Sequence, residues 1–189
     1  MIGEFTPNVA IFMMNPLADR VRQALRAVPN YPKPGIIFQD ITPLLADAEL
    51  MAGVVREMAA PYRDAGVSHI LGIEARGFIF GSAMAVEMGA GFIPARKPGK
   101  LPWETVRETY QLEYGTDALE AHRDACIGGA RVLVVDDVLA TGGTAMAAGE
   151  LVRRLGGDLV GWSFLLELGF LPGRKRLTGA PATSIITLN

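Results

Sequence analysis

Short apolar runs alternate along this chain with longer stretches in which apolar residues recur every third or fourth position. HILGI (69–73), GFIPA (91–95), RVLVV (131–135), LVGWSFLLEL (159–168) and TSIITL (183–188) are the short runs. They are rich in β-branched residues and predict strands, buried on both faces where the run is unbroken. The longer stretches predict helices. One starts at Asn15, a capping residue followed by Pro16, and carries Leu17, Val21, Leu25 and Val28 on one side until PNYPKPG breaks it. A second runs from Asp47 toward Tyr62, weakened by Pro61 and stopped by Gly66. A third covers 78–88 before Gly89, and a fourth 144–155 before Gly156 and Gly157. Strands separated by such helices imply βαβ units, so the fold class is α/β, with a central parallel sheet flanked by helices in a single domain over 1–189. Residues 96–129 break the rhythm. They carry charges throughout and include the alternating TVRETYQLEY (105–114), which suits a two-stranded excursion or a lid, and a loop of this length is usually functional.

Composition narrows the function classes. Half of the 189 residues are hydrophobic and 20% are charged, enough for a sizeable core. The formal charge of −2 offers no basic field for nucleic acid or an anionic membrane, so neither is expected as a partner. Cys126 is the only cysteine, which excludes an intrachain disulfide and a cysteine-based zinc cluster and suits a cytoplasmic location. His69 and His122 are too few and too far apart in sequence to suggest a metal site. No apolar run is long enough to span a bilayer. Residues 1–14 read as an extension without function, lacking the basic region and cleavage site of a signal peptide.

The chemistry concentrates in VLVVDDVLATGGT (132–144). An apolar strand leads to Asp136 and Asp137, and Ala140, Thr141, Gly142, Gly143 and Thr144 turn the chain into a helix. The glycines let backbone amides approach an anion, the threonines add hydroxyl donors, and the helix start adds the positive end of its dipole, all suited to a monoester phosphate. There is no Lys-Ser/Thr after the glycines and no GxGxxG, so neither a Walker A loop nor a dinucleotide fingerprint is present. Two carboxylates beside a phosphate site repel the phosphate unless something stands between them. A phosphorylated ribose does so, because its vicinal hydroxyls donate to the acids while its phosphate lies on the amides. A solvated strand end explains the acid pair alone, but not the whole string.

That string resembles the 5-phosphoribosyl-1-pyrophosphate (PRPP) binding motif of type I phosphoribosyltransferases. YPKPGIIFQDITPLL, GIEARGFIFG, RKPGKLPWETVRETYQLEYG and FLLEL are similar, in order, to blocks of the adenine phosphoribosyltransferase family. The resemblance implies the reaction adenine + PRPP → AMP + pyrophosphate. It also implies a hood over 15–45, a mobile lid over 96–129, a homodimer, and Mg²⁺ carried by PRPP or pyrophosphate rather than held by the protein. Residues 140–144 then take the phosphate, and Asp136 and Asp137 the ribose. Arg76, Lys97 and Lys100 take the pyrophosphate, with Arg96 a weaker candidate. Ile37, Phe38, Gln39 and Leu168 take the adenine, Phe38 stacking on the purine. Gln39 stands where the family's human member has Arg. Glu113 exchanges a proton with the purine's imidazole ring, Tyr114 helps close the lid, and the Ala75–Arg76 bond is cis.

Three other readings are weaker. A 6-oxopurine phosphoribosyltransferase needs a donor at the pocket edge, and FLLELGF offers none before Arg174. A PRPP-sensing DNA-binding regulator needs more than one helix bearing Arg20, Arg22 and Arg26. A generic nucleotide-binding module does not account for the other blocks.

Overall fold

The computed structural model describes residues 16–111 and 115–189. In chain order its first elements are α1 (Pro16–Ala24), β1 (Arg26–Pro29), β2 (Ile37–Asp40), α2 (Thr42–Ala46), α3 (Ala48–Ala59), β3 (His69–Ile73), α4 (Gly77–Met88) and β4 (Gly91–Ala95). There follow β5 (Thr105–Gln111), β6 (Thr116–His122), β7 (Arg131–Leu139), α5 (Gly143–Arg154), β8 (Asp158–Leu168), α6 (Gly173–Arg176) and β9 (Ala182–Leu188).

The five apolar runs become one parallel sheet in the order β4-β3-β7-β8-β9. Its middle strand shows why the runs carry no polar face. Val132 and Val134 enter the core on the α5 side, Leu133 and Val135 the core under α3 and α4, and all four are fully buried. Each such side chain contributes about 1.5–3 kcal/mol relative to exposure. Asp47 caps α3 by accepting from the Leu50 amide at 2.9 Å, and Pro61 falls in a 3-10 turn that follows. Gly89 ends α4 in the left-handed conformation, φ 64°. None of the described helices is long and apolar enough to cross a membrane.

Two expectations need correcting. The first helix stops at Ala24, short of Leu25 and Val28. Residues 26–29 pair instead with 37–40 as an antiparallel hairpin. The Asp40 carboxylate fastens it by accepting from the Thr42 amide and the Arg26 guanidinium, and these hold its pKa down to about 2. The Asn15 cap lies outside the described residues. The second correction concerns the acid pair, placed at the end of a strand closing at Val135. The strand continues to Leu139, paired with β8 through Leu139↔Glu167, whereas its pairing with β3 ends at Val135↔Gly72. Asp136 and Asp137 therefore sit where β7 outruns its neighbour on one side only.

The alternating segment forms an antiparallel hairpin of β5 and β6 outside the main sheet. Leu119 and Ala121 anchor it in the core on the α5 side.

Candidate active site

The chain leaves β3 by α4 on one face of the sheet and leaves β7 by α5 on the other. The loops at the carboxyl ends of these neighbouring strands diverge, and open α/β sheets bind ligands in such a gap. A cavity of about 640 Å³ lies there. It gathers Ile37, Phe38, Gln39, Arg76, Lys97, Asp136, Asp137, Ala140, Thr144 and Leu168 from across the chain. A recess of about 70 Å³ is formed by Asp136 and residues 138–145, including Thr141, Gly142 and Gly143. Lys100 lines neither space; its carbonyl accepts from Arg96 Nη1 at 2.9 Å. Glu113 and Tyr114 lie outside the described residues.

Helix α5 starts from Gly142, in the left-handed region at φ 79°, with no side chain capping it and no acid in its first turn. Its leading amides and dipole are thus left for an external anion. Helix α4 likewise starts with neither a side-chain cap nor an acid in its first turn. It begins at glycine because a Cβ on Gly77 would lie 2.8 Å from the Val135 carbonyl and 2.9 Å from Asp136 Oδ1.

The acids between these helix starts are under electrostatic stress. Asp136 keeps some surface toward the cavity but is packed round by protein, and Oδ1 accepts from the Asp137 amide at 2.9 Å. Burial, then the charge of Asp137, push its carboxyl well above the ordinary range. Asp137 is 4% exposed and also raised by burial, with Arg76 opposing. Arg76 Nε lies 2.6 Å from Asp137 Oδ2, yet its N–H is off line. The pair compensates charge while leaving that buried oxygen without an aligned donor. The same guanidinium lies 5.1 Å from the centre of the Phe38 ring, a cation–π contact. Phe38 also meets Tyr31 edge to face at 5.2 Å. Leu166 is fully buried beside the partly exposed Leu168 at the far wall.

Several partners here carry little sequence signal. Glu74 accepts from the Lys97 amide at 2.8 Å and from Arg96 at 3.2 and 3.3 Å, fastening RKPGK to the end of β3. Burial disfavours its charge, but these bonds outweigh that and lower its pKa. Arg96 is thereby committed to Glu74 rather than aimed into the cavity. Lys97 donates to the Tyr110 hydroxyl at 2.9 Å and to the Asp117 carboxylate. Glu74 was visible within EARG; nothing in the sequence marked Asp117. The cis bond is Glu74–Ala75, one residue before the expected position. The ladder persists to Glu74, whose amide donates to Ala95 at 2.9 Å, so the reversal follows it. The histidines, distant in sequence, line one separate cavity of about 240 Å³ with Asp124. Among the described residues no group of three or more His, Cys, Asp or Glu could hold a metal ion.

The family described as phosphoribosyl transferase domain matches residues 44–168. An adenine phosphoribosyltransferase of Myxococcus xanthus is 57% identical over 163 residues, 86% of this chain and 89% of its own. The chain belongs to the phosphoribosyltransferase family. Among solved structures, the adenine phosphoribosyltransferase of Rhodothermus marinus superposes on this phosphoribosyltransferase with a TM-score of 0.87 and 48% identity, covering 91% of this chain and 98% of that one. That of Saccharomyces cerevisiae, solved with an imino-altritol bisphosphate and adenine, gives 0.85 and 39%, covering 90% and 98%. The family match takes in Arg76, Lys97, the acid pair and the glycine turn of this phosphoribosyltransferase, but begins after β2 and ends before α6.

Proposed function

We propose that this phosphoribosyltransferase moves the phosphoribosyl group of PRPP onto adenine, releasing AMP and pyrophosphate. The observation that carries the reading is the buried acid pair at the wall of the cavity, between two uncapped helix starts. A ribose phosphate complements each part. Its phosphate takes the amides of 140–144 and the hydroxyls of Thr141 and Thr144, and its diol donates to Asp136 and Asp137. As the C1′–O bond to pyrophosphate lengthens, the electron pair leaves with the diphosphate, toward Arg76 and Lys97, with Lys100 adding positive charge nearby. The ring gains positive charge that the carboxylates favour. The imidazole nitrogen of adenine then bonds to C1′, and its proton passes to Glu113. The resemblance of LEYG supports that last role, as does the packing of Gln111, two residues earlier, whose carbonyl lies 3.2 Å from a Cβ built on Gly143. Closure of the 96–129 segment would keep water from the reactive sugar.

Phe38 and Leu168 would sandwich the base, with the main chain of Ile37 and Gln39 at its edge. A 6-oxopurine pocket wants a cationic donor, and the candidate Arg174 is committed to Glu167, Ser184 and the Ala182 carbonyl. Magnesium, when bound, offsets the diphosphate charge. The diphosphate would carry it, and the carboxylates lining the same cavity suit an ion that takes few protein oxygens. The single, buried Cys126 supports a cytoplasmic setting. Exposed Ile79 and Val86 on α4 and Phe92 on the edge strand β4 support a homodimer through that face.

Radiolabelled adenine incubated with PRPP and magnesium is expected to yield labelled AMP, and EDTA in place of magnesium to abolish it. Hypoxanthine and guanine should not react. Absence of AMP under saturating PRPP sinks the reading. Glu113→Ala should slow turnover by about 10²–10⁴-fold; unchanged turnover removes Glu113 from the proton path.

A further inference from the structure

Behind the phosphate turn lies a segment outside both the matched family span and the cavity walls. Gly173, the first residue of α6, packs backbone against backbone on 140–142. A Cβ on Gly142 would lie 2.8 Å from the Gly173 carbonyl oxygen and 3.0 Å from its Cα. A Cβ on Gly173 would run into the Ala140 carbonyl oxygen. Main chain cannot swing aside as a flexible side chain does, so the position of Gly173 dictates that of the turn.

Arg174 holds Gly173 there. Its Nε donates to both oxygens of Glu167 at 3.1 Å, its Nη2 to Ser184 Oγ at 2.9 Å and to Glu167, and its Nη1 to the Ala182 carbonyl. Ser184 Oγ donates to Glu167 Oε2 at 2.9 Å. Glu167 is 8% exposed and stands in register with Leu139, the residue before the turn. The planar fork of a guanidinium fits so many acceptors at fixed angles, which an ammonium cannot do. None of Glu167, Arg174 and Ser184 lines the active-site cavity or the recess.

We infer that Arg174, tied to Glu167 and Ser184 and acting through Gly173, is a positioning residue that sets the 140–142 turn to receive a ligand's phosphate. The inference rests on the reading of that turn as the phosphate site. Its test is the affinity of the full chain for AMP and for adenosine, measured by calorimetry, with KM for PRPP and kcat measured alongside. Arg174→Met and Gly173→Ala are expected to weaken AMP by about 10- to 100-fold, the loss of about one hydrogen bond to a charged phosphate. Adenosine affinity should stay within about twofold, and KM for PRPP should rise more than kcat falls. Gly173→Ala changes no side chain of the polar network, and Ser184→Ala removes only the two hydrogen bonds of one hydroxyl, so the comparison survives if Arg174→Met does not fold. If the variants keep the wild-type AMP-to-adenosine ratio, or lose both ligands equally, the inference is overturned alone. If wild-type protein does not prefer AMP to adenosine, the phosphate reading fails and takes the inference with it.

Discussion

At the residue scale, the role proposed for Asp136 sets function against stability. In the fold its carboxyl holds its proton to higher pH than in the unfolded chain, because it is buried and faces Asp137. The folded state therefore binds more protons than the unfolded one between the unperturbed value of 3.8 and the raised one. The stability it contributes is complete below 3.8 and is lost as pH rises through the raised value. Asp136→Asn keeps an oxygen for the Asp137 amide and removes the charge. It is expected to raise stability at neutral pH by about 0.5–2 kcal/mol, with the gain vanishing in acid, while turnover falls by about 10²-fold or more. Chemical denaturation at two pH values, with the AMP assay beside it, checks both. A destabilised variant with normal turnover would contradict the account. Asp136 and Asp137 were legible as a pair because they are consecutive in one strand and precede the glycine turn. Glu74 was visible within EARG but its partner was not, and Asp117 was not marked at all, since each acts on a cation supplied by another segment.

Elements add couplings that no single motif announces. The β5–β6 hairpin reaches the cavity through Lys97, whose charge burial disfavours but whose bonds to Asp117 and Tyr110 outweigh that and raise its pKa. Asp117 occupies the ammonium that a pyrophosphate would use. Asp117→Asn should tighten pyrophosphate by about two- to fivefold, the factor corresponding to the 0.5–1 kcal/mol of a partly exposed ion pair. Titration calorimetry with pyrophosphate decides it, and a weaker complex means Asp117 positions Lys97 rather than competing for it. The five sheet strands were readable because both their faces are buried. The hairpin at 26–40 was not, because Leu25 and Val28 fit a helical period as well as a strand, and only pairing with 37–40 chooses between them.

At the scale of the whole molecule, one apolar stripe faces outward. Val86 is 85% exposed, with Ile79 on the same helix and Phe92 on the neighbouring edge strand. Sedimentation is expected to show a dimer that Val86→Glu shifts toward monomer; a monomeric wild type, or a variant that stays dimeric, rules out this face. The sheet order itself follows from the sequence only as far as the alternation of strands and helices. The return from β4 to the other flank of β3 depends on how the 96–129 segment crosses, which local pattern does not encode.

The unequal lengths of β3 and β7 have a further consequence. Were β3 to run on beside Asp136 and Asp137, the ladder would be more regular and the acids would lose the side from which a ligand approaches them. The opening proposed for catalysis is a gap in this protein's own weave, so mutations that perfect the sheet at that edge should be the ones natural variation avoids.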